Sequence, residues 1–216
     1  MVEYVYSILE IIIVIFGILS LIPVFASWKD TKNRMYISIF VLTLGLIAFS
    51  IINLLTYLFE IDTTVYLIGG LRFGYILGYI LATIQFEFML YLRDLKKLYT
   101  LPFIIAFYLI MGNILIVSSV AFILYLTFVG YVPAYFLLRD GKSKRNGLAF
   151  GTGLLFLIWG IGQTIPLLLI TIIFRTVSVF FFFLGSRGFY ENYIFLDQQE
   201  EQKILGTWIS KFVVKE

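Results

Sequence analysis

From Leu101 to Leu138 the chain carries no Asp, Glu, Lys or Arg, and this uncharged run limits the fold more than any other feature. At a rise of about 1.5 Å per residue it is too long for one crossing of a hydrocarbon layer about 30 Å thick, and about right for two. Composition agrees. Hydrophobic residues make up 61% of the 216 and charged residues 13%, against about 45–50% and about 25% in soluble domains. A water-soluble fold is excluded, and a polytopic membrane protein is expected.

Cysteine and histidine are both absent. Disulfides, thiolate or imidazole metal ligands, Cys or His nucleophiles and the usual general base are therefore missing. No enzyme, catalytic residue, metal or cofactor is expected. The net charge of +3 does not point to nucleic acid, because the basic residues gather in short segments between apolar runs.

Apolar segments cover Tyr4–Ser27, Tyr36–Phe59 and Thr64–Leu92. Gly112-Asn113 is a turn signal that divides the uncharged run into a short helix, Thr100–Met111, and a longer one, Ile114–Leu138. A further apolar run from Gly147 to Phe189 breaks around Gly160–Pro166, which brings the expected count to seven transmembrane helices. Lys and Arg lie in Trp28–Arg34, Arg93–Lys97, Arg139–Arg145 and the C-terminal segment, with Arg72 and Arg175 as the exceptions, while Glu3, Glu60 and Asp62 fall on the opposite side. The positive-inside rule then places the N-terminus outside and the C-terminus in the cytoplasm of a multi-pass cell-membrane protein. The start, Met-Val-Glu-Tyr, lacks a basic leader and reads as an uncleaved first helix.

A shift of 110 aligns Ile22-Pro23-Val24 with Val132-Pro133-Ala134, Lys29-Asp30 with Arg139-Asp140, and Asn53 with Gln163. A shift of 103 aligns Leu71-Arg72-Phe73 with Phe174-Arg175-Thr176. The expected fold class is all-α, with a 3+1+3 parallel internal repeat. Residues 1–92 form the first triplet, 93–112 a linker helix, 113–190 the second triplet and 191–216 a cytoplasmic tail. With Pro23, Pro133, Lys142-Ser143 and Gly147-Leu148 in this order, the chain resembles the SWEET and PQ-loop transporters, although Val24 and Ala134 stand where the family has glutamine. That resemblance implies two triplets rocking about a central solute site.

Ionisable residues inside apolar segments are functional-site candidates by default. In the expected orientation Glu10, Arg72 and Arg175 lie at similar depth, about 9–12 Å from the outer end, with Asn53 and Gln163 near the same level. Paired guanidiniums can hold a carboxylate or phosphate bidentately, so these five residues form a candidate substrate site for a small polar or anionic solute. Glu10 is also a candidate for proton uptake, and pairing with Arg72 simply to fix helix packing is the bland alternative. Glu87 and Arg187 form a candidate inner gate, or an interfacial salt bridge of little weight. Gly70, Gly74 and Gly78, and the glycines between Gly147 and Gly162, allow close helix approach, while Trp28 and Tyr36 read as interfacial anchors.

Beyond Asp197, Ile204, Leu205, Trp208, Ile209, Phe212 and Val213 recur on one helical face among lysines, as in a helix lying on the inner leaflet or docking a cytoplasmic partner. The expected function is alternating-access transport of a small polar or anionic solute, with self-association left open. The alternatives are a seven-helix sensory or receptor-like module, without retinal because the last span has no lysine, and an accessory subunit of a membrane complex.

Overall fold

The computed structural model describes residues 2–32, 34–59, 66–68, 71–116, 119–163 and 167–195, with Arg72 and Gln163 described in backbone only. Eight α-helices appear among these residues: α1 (Val2–Thr31), α2 (Arg34–Phe59), α3 (Phe73–Leu92), α4 (Leu101–Ile116), α5 (Ser119–Ser143), α6 (Gly147–Gln163), α7 (Leu168–Ser186) and the short α8 (Phe189–Tyr193). A two-stranded antiparallel hairpin, β1 (Tyr66–Ile68) and β2 (Leu71–Arg72), precedes α3, with Tyr66 opposite Arg72.

The side-chain pattern of α1 is turned inside out relative to a helix in water. Its inward face carries Ser7, Glu10, Ile13, Gly17, Ser20 and Val24, all buried. The outward stripe is Ile8, Ile11, Ile15, Ile18 and Ile22, each between 44% and 58% exposed. In water the apolar stripe would turn toward the core; here the polar side chains are buried and the isoleucines face out, as a lipid surround favours. In α2, likewise, Thr43 and Ser50 are fully buried while Val41, Leu44, Ile51, Leu55 and Leu58 are exposed. The buried hydroxyls mostly bond within their own helix, Ser20 to the Phe16 carbonyl (2.7 Å) and Thr43 to that of Ile39 (2.8 Å), which removes the penalty of an unpaired group in an apolar medium. The chain is thus built for membrane association.

The helices pack in a closed round. α1 contacts α2 and α7, α7 contacts α6, α6 contacts α5, and α3 joins α5 back to α2, while α4 lies outside against α3 and α5. Ile13, Ile39, Leu42, Leu46, Val179 and Phe182 fill part of the shared core. The α6–α7 seam is the tightest: a Cβ placed on Gly185 would fall 2.5 Å from the Gly147 carbonyl oxygen and 3.0 Å from the Gly151 Cα. Two polar joints hold α3 and the residue that follows it to α5. Gln85 Nε2 donates to the Gly130 carbonyl (2.7 Å), and Arg93 pairs with Asp140 (Nε to Oδ2, 2.7 Å) while lying over the Phe136 ring at 4.4 Å.

This architecture corrects the seven-span, 3+1+3 expectation. Among the described residues three helices are long and apolar enough to cross a membrane, over Tyr4–Thr31, Tyr36–Phe59 and Leu168–Ser186. The uncharged run does not divide at Gly112-Asn113, because α4 continues through it to Ile116 and is only 16 residues long. α6 has 17 residues where its supposed counterpart α2 has 26. The internal repeat fails at its most telling pair as well: Arg72 lies in a β-hairpin, whereas Arg175 lies inside α7. The physical reason is that hydropathy measures apolar length, which a span and a helix packed within the bundle share. The seven-helix transporter and the seven-helix sensor both rested on that count, and neither is retained. The tail helix expected beyond Asp197 lies outside the described residues.

Candidate functional site

Three helices bring one cluster of polar side chains into the core. Glu10 lies eight residues into α1 and Arg175 seven into α7, so both sit about 10–12 Å from the starts of their helices. Asn53 lies six residues from the end of the antiparallel α2, at the same level. Glu10 is fully buried and Arg175 is 4% exposed. The Arg175 Nη2 pairs directly with Glu10 Oε1, and Asn53 Nδ2 donates to the same oxygen at 3.1 Å. The guanidinium also lies over the Phe49 ring, 5.1 Å from its centroid.

The charges of the pair cancel, and each partner makes the other tolerable in a low-dielectric interior. Three buried atoms at or near this level have no hydrogen-bond partner: Glu10 Oε2, Arg175 Nε and Ser50 Oγ, the last one turn before Asn53. Of the five residues expected to bind solute, the structure therefore joins Glu10, Arg175 and Asn53. The side chains of Arg72 and Gln163 lie outside the described residues. The Glu87–Arg187 gate does not form among the described contacts: Arg187 Nη2 donates to the Leu19 carbonyl (3.3 Å) and its guanidinium lies 5.5 Å from the Phe183 ring centroid.

A second polar site lies at the other end of the bundle, some 13–17 residues farther along α1, or about 20–25 Å. A cleft of about 360 Å³ opens there between the last turns of α1 and α7 and the α5–α6 connection, lined among others by Ser27, Tyr36, Lys144, Arg145, Asn146 and Glu191. Local chemistry explains its shape. Asn146 caps α6 by accepting the Ala149 N–H at 2.9 Å, as asparagine favours at a helix start. The Glu191 carboxylate accepts the Gly147 N–H, filling the positive end of the α6 dipole. Below them Tyr190 is buried and donates its hydroxyl to the Phe181 carbonyl (3.0 Å), and burial pushes its titration well above the usual tyrosine range, so it remains a donor.

Lys144 and Arg145 line the cleft together with the Glu191 carboxylate, whose Oε1 accepts the Gly147 N–H while its Oε2 is buried without a hydrogen-bond partner among the described residues. In the sequence the Arg139–Arg145 loop is basic but carries no site motif, and the signal it offers is Asn146 placed directly before the apolar start of α6.

Comparison with known proteins finds no match, whether to a family model, a curated protein or a solved structure. The SWEET and PQ-loop resemblance is withdrawn on that finding and on the fold, and the geometry alone supports a functional reading.

Proposed function

We propose that the protein is a multi-pass membrane protein with a binding, non-catalytic role, in which the Glu10–Arg175–Asn53 triad locks the bundle and the cleft at its basic end takes a small anionic group. One observation carries this reading: Lys144 and Arg145 line a polar cleft with the hydroxyl of Ser27 and the amide of Asn146, side chains that can donate to phosphate or carboxylate, while the Glu191 carboxylate in the same lining is turned through Oε1 to the Gly147 N–H. The lack of Cys and His in the sequence supports binding over catalysis. The positive-inside rule assigns this end to the cytoplasmic side.

The test is the melting temperature of detergent-purified protein titrated with inorganic phosphate, sulfate and small carboxylates. A ligand at about 100 times its Kd adds about 2.7 kcal/mol, so a rise of several degrees is expected in the wild type and none in Lys144→Gln/Arg145→Gln. No rise with any anion, or an equal rise in the double variant, contradicts the assignment. The unpartnered Glu10 Oε2, Arg175 Nε and Ser50 Oγ favour a second reading, in which the triad itself holds a small polar guest. In that case the rise is lost in Glu10→Gln and kept in Lys144→Gln/Arg145→Gln.

A further inference from the structure

The Glu10–Arg175 pair uses only half of what its two groups offer. A guanidinium presents Nε–H and one Nη–H side by side, a fork that matches both oxygens of a carboxylate. One prong is engaged, Arg175 Nη2 to Glu10 Oε1, and Asn53 Nδ2 donates to that same oxygen. The other is not: Arg175 Nε and Glu10 Oε2 are both buried without a hydrogen-bond partner among the described residues, and so is Ser50 Oγ. Ser50 precedes Asn53 by one turn on the same face of α2, and it follows Phe49, whose ring lies beside the guanidinium.

The chemistry of these three atoms defines what can join them. Nε–H only donates, a carboxylate oxygen only accepts, and a hydroxyl does either. A guest must therefore accept from the first and donate to the second. The pair is already neutral, and a net charge buried beside it would stand uncompensated, so the guest is neutral as well. Glu10 and Ser50 are fully buried and Arg175 is 4% exposed, an enclosure that favours a guest without a carbon body.

We infer that the three atoms share one ordered water, which accepts from Arg175 Nε–H and donates to Glu10 Oε2 and to Ser50 Oγ. A buried water typically makes about three hydrogen bonds, and this one joins α1, α2 and α7 through them. The inference rests on the reading in which the triad holds a guest, and it names that guest; it asks nothing of the basic cleft.

Solid-state NMR of the full chain in lipid bilayers, with nitrogen-labelled arginine, tests it by dipolar transfer from water protons to each arginine Nε–H. The expected result is a strong water contact at short mixing time on the Nε–H of Arg175. Arg175→Lys identifies that resonance by deleting it. Should this variant fail to fold, Phe49→Leu identifies it by a shift, because it removes a ring 5.1 Å from the guanidinium and keeps the hydrogen bonds of the triad.

An Arg175 Nε–H with no water contact overturns the water. If an added solute then raises the melting temperature of the wild type and not of Glu10→Gln, the triad still holds a guest of another kind. With no water contact and no such rise, the guest reading falls together with the water.

Discussion

Replacing Glu10 with alanine lowers the unfolding free energy by about 3–5 kcal/mol, the usual cost of leaving one member of a buried ion pair without its partner. Arg175 is 4% exposed and its guanidinium meets Glu10 and the face of Phe49, so removing the carboxylate leaves a buried charge without its counter-charge. Against a typical stability of about 5–15 kcal/mol the loss is large. Glu10→Gln keeps an acceptor for Asn53 but removes the charge, and falls between the two. The double substitution Glu10→Leu/Arg175→Leu recovers most of the loss, because well-packed apolar residues often replace a buried pair without net cost. Unfolding in a graded denaturing detergent measures all three. If Glu10→Ala stays within about 0.5 kcal/mol of wild type, a surface-like value, the triad is not a lock.

Gly185→Leu is the second large effect, and it acts through shape alone. Even a Cβ here would lie 2.5 Å from the Gly147 carbonyl oxygen and 3.0 Å from the Gly151 Cα, and backbone atoms cannot rotate away as side-chain tips can. Overpacking typically costs about 1–3 kcal/mol and more where backbones must part, so the α6–α7 seam opens and the folded yield falls sharply. Gly130→Ala is the control. A Cβ there meets nothing within 4 Å, and alanine in a helix interior is favoured over glycine by about 1 kcal/mol. Melting temperature by size-exclusion analysis of heated samples separates them, with Gly185→Leu well below wild type and Gly130→Ala at or above it. Wild-type behaviour of Gly185→Leu would show that the seam is looser than its glycines indicate.

The membrane association and the presence of charge inside the bundle at Glu10 and Arg175 were legible because a charge inside an apolar segment is conspicuous, whatever the fold. Which charge met which was not. Arg72 looked equivalent to Arg175 in a linear alignment, yet one backbone turns through a hairpin and the other runs inside a helix, a difference set by pairing of Tyr66 with Arg72 that no spacing reveals. The division of the uncharged run was also misplaced. Gly112-Asn113 is a turn signal in water, where the backbone can exchange helix bonds for solvent, but in an apolar medium leaving the helix strands N–H and C=O groups, and α4 continues through it. The basic cleft escaped notice for a different reason: Ser27, Asn146 and Glu191 are ordinary residues far apart in sequence, and only the closed packing of α1, α6 and α7 sets them around one space.

If α1, α2 and α7, each long and apolar enough to span, cross the bilayer as proposed, their basic ends lie together on one face. Because the sequence contains no cysteine, single cysteines can be introduced without background, at Tyr4, Phe59 and Leu168 for one end and at Lys32, Asn146 and Arg187 for the other. Labelling with a membrane-impermeant maleimide in right-side-out and inside-out vesicles is the direct measurement. The expected result is that the first three label from one face only and the last three from the opposite face only. Labelling of both sets from the same face would contradict it.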